Sequence, residues 1–114
     1  MKIDFSNTRI FIRPGATNMH KSFEGLTEVI KNTMKLNQYD KDCVFLFCNS
    51  TRNIIKAIWW SGNGFWIAAK RLERERWTWT QTQEEAMEIK NEDLELLLKG
   101  INVWKKHSEL HYEI

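Results

Sequence analysis

Arg9, Phe11 and Arg13 alternate with Ile10 and Ile12, and Pro14-Gly15 follow, a pattern that predicts a short strand over residues 9–13 closed by a turn. Met19, Phe23, Leu26, Ile30 and Met34 then recur at spacings of 4, 3, 4 and 4. That period draws one apolar stripe down about five turns of helix, with Thr17 or Asn18 as its cap. Gly25 falls inside the stripe, where it costs roughly 1 kcal/mol of helix propensity and points to a close approach of helix to sheet. Beyond a polar break at 37–42, the run Cys43-Val44-Phe45-Leu46-Phe47-Cys48 is apolar on both parities, as a central strand covered on both faces must be. Two further runs, 53–60 and 65–72, flank Ser61-Gly62-Asn63-Gly64, whose residues tolerate positive φ, and together they predict a β-hairpin. With Gly62 and Asn63 at the turn centre, Trp60 faces Phe65, Ile58 faces Ile67, Lys56 faces Ala69 and Ile54 faces Arg71.

A charged turn through Glu73, Arg74 and Glu75 leads into Arg76-Trp77-Thr78-Trp79, read as another strand with its aromatics on one face. Asn91 caps a last, short helix that has Glu92 and Asp93 in its first turn, Leu94, Leu97, Leu98 and Ile101 as its buried stripe and Gly100 at its end. The expected fold is α+β: a mostly antiparallel meander sheet of about five strands, one longer N-terminal helix and one short C-terminal helix. No repeat or linker interrupts the chain, so residues 1–106 read as one domain and 107–114 as a frayed tail.

Composition narrows the class without naming it. Over 114 residues, 42% hydrophobic and 28% charged is globular usage, which argues against disorder, collagen-like order and a disulfide-dense scaffold. The longest apolar stretches, Ile54 to Trp60 and Phe65 to Ala69, are strand-sized, well short of the roughly 20 residues of a membrane-crossing helix. Residues 1–12 lack the apolar core of a signal peptide, so a cytoplasmic protein with no membrane partner is expected. Seventeen Lys and Arg against fifteen Asp and Glu leave a net charge of +2, and only clustering could turn that into nucleic-acid affinity. Cys43 and Cys48, five apart on one strand, point to opposite faces and read as unbridged, buried thiols. Six Trp and six Phe in so short a chain are the unusual feature.

Catalytic chemistry finds little to work with. Metal-dependent DNA cleavage needs two or three carboxylates converging on one point. Here Asp4 lies near the terminus, Asp40 and Asp42 in a polar turn, Glu73 and Glu75 alternate with Arg71, Arg74 and Arg76, and Glu84, Glu85 and Glu88 read as a solvated charge run. There is no Gly-x-Ser-x-Gly elbow, and neither cysteine has a histidine that sequence can place beside it. His20 reads as a surface or capping residue, His107 and His111 as part of the tail, and Gly62-Asn63-Gly64 as turn chemistry rather than a phosphate loop. No enzyme, no metal site and no cofactor are expected.

A basic, aromatic surface remains. Strand parity puts Lys56 and Arg71 on one face of the hairpin and Trp59, Ala57 and Ile55, opposite Trp66, Ala68 and Lys70, on the other. Each face is apolar near the turn and basic toward the far end, where Arg74 and Arg76 follow. Cations beside rings suit phosphates and stacked bases. The rival reading is a dimer or protein-partner patch rimmed by charge.

Trp59-Trp60-Ser61-Gly62-Asn63-Gly64, then Ala69-Lys70-Arg71-Leu72-Glu73, then Arg76-Trp77-x-Trp79, closely resembles the TnpB-type accessory protein, the second open reading frame product of the insertion sequence 66 family of bacterial transposons. Upstream, Asn18-Met19-His20-Lys21-Ser22-Phe23-Glu24-Gly25-Leu26 is similar to that family's Asp-Met-Arg-Lys-Gly-Phe-Asp-Gly-Leu segment, and Leu97-Leu98-Lys99-Gly100-Ile101 extends the likeness to about residues 9–104. Asn18, His20, Ser22 and Ser61 depart from the pattern, three of them where the family has a charge; Lys21, Gly25, Lys56, Lys70, Arg71, Glu73 and Trp79 keep it. The resemblance implies a role in transposition beside a larger transposase and a small helix-turn-helix protein of the same element; joined to the basic, aromatic hairpin and the missing catalytic set, it makes a non-catalytic accessory protein that contacts transposon-end DNA the leading expectation. Candidate DNA contacts are then Arg13, Lys21, Lys56, Lys70, Arg71, Arg74 and Arg76, and candidate partner contacts are Trp59, Trp66, Trp77 and Trp79. The alternatives are a module that binds the transposase without touching DNA and, remotely, a small metal-dependent nuclease.

Overall fold

Ile10 and Ile12 of strand β1 (Arg9–Ala16) point into one layer of core and Phe11 into the other, and the same split runs through the whole sheet. The computed structural model describes residues 5–99, 103 and 104. After β1 come helix α1 (Phe23–Glu28), continued by a π-helical turn at Val29–Thr33, then β2 (Cys43–Cys48), β3 (Ile54–Trp60), β4 (Phe65–Arg71), β5 (Met87–Ile89) and α2 (Asn91–Leu98). The five strands lie in the order β4-β3-β2-β1-β5. All six residues of β2 are buried, as its doubly apolar sequence requires of the middle strand. Phe11, Phe45, Phe47 and Ile58 face α1 and the π turn, through Leu26, Ile30 and Met34. Ile10, Ile12, Val44, Leu46, Ile55 and Ala57 face the other way, against Leu94 and Leu97 of α2 and against Trp77 and Trp79. Cys43 and Cys48 fall in opposite layers and are unbridged.

The sheet is mixed, where a mostly antiparallel meander was expected. β1 and β2 run parallel, Arg9 beside Cys43 through Ile12 beside Leu46, because the helical crossover between them returns the chain to its starting end before β2 begins. Pro14-Gly15 does not close β1. It makes a bulge, with Gly15 at φ +78°, after which Ala16 pairs with Cys48.

The N-terminal helix is shorter than the apolar stripe implies, and α2 outlasts α1. The Asn18 carboxamide oxygen accepts from the His20 N–H at 2.8 Å and its carbonyl from the Lys21 N–H at 3.2 Å, so residues 18–21 form a turn and helix begins only at Phe23. Met19 packs on the core from that turn, while Phe23 is left 47% exposed. Past Glu28 the coil widens, with the Met34 N–H donating to the Val29 carbonyl five residues back. The extra residue in that turn offsets the forward drift of residues four apart, keeping Leu26, Ile30 and Met34 on one line. Gly25 makes its close approach to the Lys21 side chain rather than to the sheet: an added Cβ would lie 3.0 Å from Lys21 Cβ and Cγ.

The hairpin has the expected register, Ile54 opposite Arg71 through Trp60 opposite Phe65. Gly62 alone of its two turn residues has positive φ, +101°, the backbone pattern of a type II′ turn. The stretch 76–79 is not a strand. Its alternating rings drop into the core while its backbone is tied at either end, the Trp77 N–H donating to the Arg52 carbonyl ahead of β3 at 2.7 Å and the Thr80 carbonyl just beyond accepting from the Gly15 N–H of β1 at 2.9 Å, so it straps the α2 side of the sheet. The fifth strand is β5, antiparallel to β1. It contains Glu88, which the charge run 84–88 gave no reason to place in a sheet. The residue preceding α2 is Lys90, and Asn91, the expected cap, donates its side-chain N–H to the Ser6 carbonyl at 3.2 Å. Gly100, Ile101, His107, His111 and the tail at 107–114 lie outside the described residues.

Candidate nucleic-acid interface

The backbone of the hairpin root decides which cations meet. Leu72 donates its N–H to the Asn53 carbonyl at 2.8 Å and Trp77 donates to Arg52, so the turn at 73–76 folds back beside the loop that enters β3. Arg71, Arg74 and Arg76, all exposed, therefore share one end of the sheet with Arg52. Arg52 was not singled out by sequence; its left-handed φ of 57° aims its carbonyl at Trp77, and no periodic signal marks that. The paired acid here is Glu73, whose carboxylate accepts from Arg71 Nε at 3.3 Å with both side chains well exposed, an ion pair of little strength. Arg76 donates to the Glu75 carbonyl at 3.1 Å and keeps its charge in solvent.

A shallow, open depression of about 490 Å³ at the hairpin root is lined by Lys56, Lys70 and Arg71 with Met19, Ile54, Ala69 and Glu73. Lys56 is not a free cation in it. Its ammonium donates to the carbonyls of Met19 at 2.8 Å and Lys21 at 3.1 Å, which also sets Lys21 at the margin. Lys70 is exposed, with its Nζ 3.4 Å from the Leu98 carbonyl at the end of α2. Arg13 is not gathered here: it is on β1, three strands from β4 and so roughly 14 Å away, with its guanidinium on the Pro14 carbonyl at 3.0 Å.

The four tryptophans proposed as partner contacts divide. Trp77 is fully buried and Trp79 is 5% exposed, its indole N–H donating to the Arg13 carbonyl at 2.9 Å, so both are core residues and leave the contact surface. Trp59 is half-buried, its ring edge-on to Phe5 with centroids 5.3 Å apart. Only Trp66 of the four is broadly exposed, at 57%.

Elsewhere, one ion pair and the two thiols serve structure. Arg9 holds Glu88 across β1 and β5 with two 2.9 Å hydrogen bonds, which keep the Glu88 carboxyl below the usual carboxylate range. Burial pushes both thiols up to about 11, with Asp40 adding to the effect at Cys43, so neither is a thiolate at neutral pH. Among the described residues no three His, Cys, Asp or Glu side chains are grouped to hold a metal ion, and no helix is long and apolar enough to cross a membrane.

Fold and surface together define a small α+β protein with a rigid, two-sided core and a cationic sheet end. The family model for IS66 Orf2-like proteins matches residues 8–108, and the chain belongs to that family of insertion-sequence accessory proteins. It is also 33% identical over 103 residues to a protein of Sinorhizobium fredii described as the uncharacterized protein y4hO, covering 90% of this chain and 88% of that one. No solved structure matches it.

Proposed function

We propose that this chain is a non-catalytic accessory protein of its element's transposition that contacts DNA backbone through the cationic end of the sheet, working beside the element's transposase and small helix-turn-helix protein. The observation that carries this is the convergence of Arg52, Arg71, Arg74 and Arg76, exposed and held by main-chain bonds at the hairpin root, with Lys21 and Lys70 at the margin. Such an array meets phosphates without reading bases, so affinity should fall steeply with salt and depend little on sequence. Lys56 and Arg13 contribute through structure rather than contact.

Binding to a labelled duplex of the element's end, titrated from low to moderate salt, tests the reading. A log–log slope of several counterions is expected, reduced by about two in Arg74→Ala plus Arg76→Ala while the far-ultraviolet spectrum stays native. No binding at low salt, or a slope that the double variant leaves unchanged, would overturn the DNA clause.

A further inference from the structure

We infer that the outer edge of β4 is a docking edge for a second copy of this chain, the two strands pairing antiparallel about a two-fold axis at Ala68. β4 is the terminal strand of the sheet, and among the described residues nothing pairs with its outer side. Its direction of bonding can be counted. Ser61 donates to Gly64 and Leu72 to Asn53, so in an antiparallel ladder the even-numbered residues of β4 bond inward to β3. The N–H and C=O groups of Phe65, Ile67, Ala69 and Arg71 therefore point outward, four unpaired donors and four unpaired acceptors along seven residues.

An edge of this kind is ordinarily guarded by charge, a bulge or brevity. Here Lys70 and Arg71 occupy one end only, and Phe65 to Ala69 is apolar. Antiparallel self-pairing about Ala68 matches the two ends. Phe65 meets the partner's Arg71 and Ile67 the partner's Ala69 as hydrogen-bonded pairs, using every outward group. Trp66 meets the partner's Lys70 as a close, non-hydrogen-bonded pair on the opposite face. Each cation is thereby set against a ring rather than against another cation, the arrangement in which ammonium and guanidinium groups are attracted to aromatic faces. Slipping the register by two residues in either direction loses both matches and leaves the end groups of the edge without partners. The exposure of Trp66 and the groove of about 500 Å³ on the same face of the sheet, lined by Ala57, Ala68, Leu94 and Leu98 between the hairpin and α2, are what a surface covered by another copy presents. The two cationic sheet ends would then point apart, separated along the joined strands by roughly 20 Å.

Sedimentation equilibrium of the full chain at tens of micromolar should give twice the monomer mass. Ala69→Pro removes an outward N–H without touching the β3–β4 ladder, and Trp66→Lys sets two ammonium groups face to face; each should weaken association at least tenfold. Combining Trp66→Lys with Lys70→Glu should restore the dimer, which answers the case of a single variant that misfolds. Ala68→Cys should cross-link to its own copy under mild oxidation, since the residues on the axis form a non-hydrogen-bonded pair with Cα atoms about 4.5 Å apart. A native chain that sediments as a monomer, a dimer indifferent to Ala69→Pro, or no cross-link at Ala68→Cys would each overturn the inference. DNA affinity in the monomeric Ala69→Pro chain reports on the proposed function separately.

Discussion

The Lys56 ammonium on β3 donates to the carbonyls of Met19, at 2.8 Å, and Lys21, at 3.1 Å, and so ties the turn ahead of α1 to the hairpin. Both acceptors lie at the point where helix formation is delayed by the Asn18 turn. Replacing the cation with an isosteric apolar chain strands two carbonyls. Lys56→Met should cost about 1–3 kcal/mol in chemical denaturation and leave the salt slope of DNA binding unchanged, which separates a structural lysine from a phosphate contact.

Trp79 joins the strap to the bulge of β1 through its indole N–H. Trp79→Phe removes that donor, leaves the Arg13 carbonyl without it and shrinks a buried ring. A loss of about 2–4 kcal/mol is expected from urea midpoints at constant m.

The hairpin glycines have unequal duties. Gly62 sits at φ +101°, and neither it nor Gly64 has a neighbour within 4 Å of an added Cβ. Gly62→Ala should therefore cost about 1–2 kcal/mol through backbone strain alone, whereas Gly64→Ala should stay within about 0.5 kcal/mol of the parent.

Stability should fall at both pH extremes for identifiable reasons. Glu88 is held below its ordinary range by Arg9, so its contribution is present above the unfolded carboxyl pKa and is lost as pH falls through the lower folded value. The acid limb should be shallower in Glu88→Gln, and high salt should flatten it in the parent chain because the pair is exposed. Cys43 and Cys48 have the opposite sense: with folded values raised to about 11, their contribution is complete below the unfolded thiol value of about 8.5 and is lost as pH rises toward 11. Denaturant midpoints from pH 3 to 10.5 should show both limbs, with Cys48→Ala flattening the alkaline one.

What local sequence encodes, and what it leaves to the tertiary fold, can be seen residue by residue. Gly62-Asn63 sets a turn of known length, and the hairpin register follows from it across the full length of β4. Cys43 to Cys48 shows its two-sided burial by being apolar on both parities. The parallel partnership of Arg9 with Cys43 has no such marker, because it depends on where a crossover of more than twenty residues delivers the chain. Trp77 and Trp79 alternate like strand residues since rings entering a core from an extended strap obey the same period. The cationic end was legible in part. Lys70, Arg71, Arg74 and Arg76 could be placed at the far end of the hairpin from its register, but Arg52 arrives through a main-chain bond to Trp77, and the hydrogen bonding of the Lys56 amine depends on a loop 35 to 37 residues away.

The strap has a mechanical consequence for the arginines that precede it. Trp77 works as a tethered wedge: its indole is clamped within the core while its amide is latched to Arg52, so the turn carrying Arg74 and Arg76 is bolted at its exit and, through Leu72, at its entrance. A segment fastened at both ends surrenders little freedom when a ligand arrives. Charges on such a mount act as a rigid comb, and slackening the wedge would blunt the comb even with every arginine still in place.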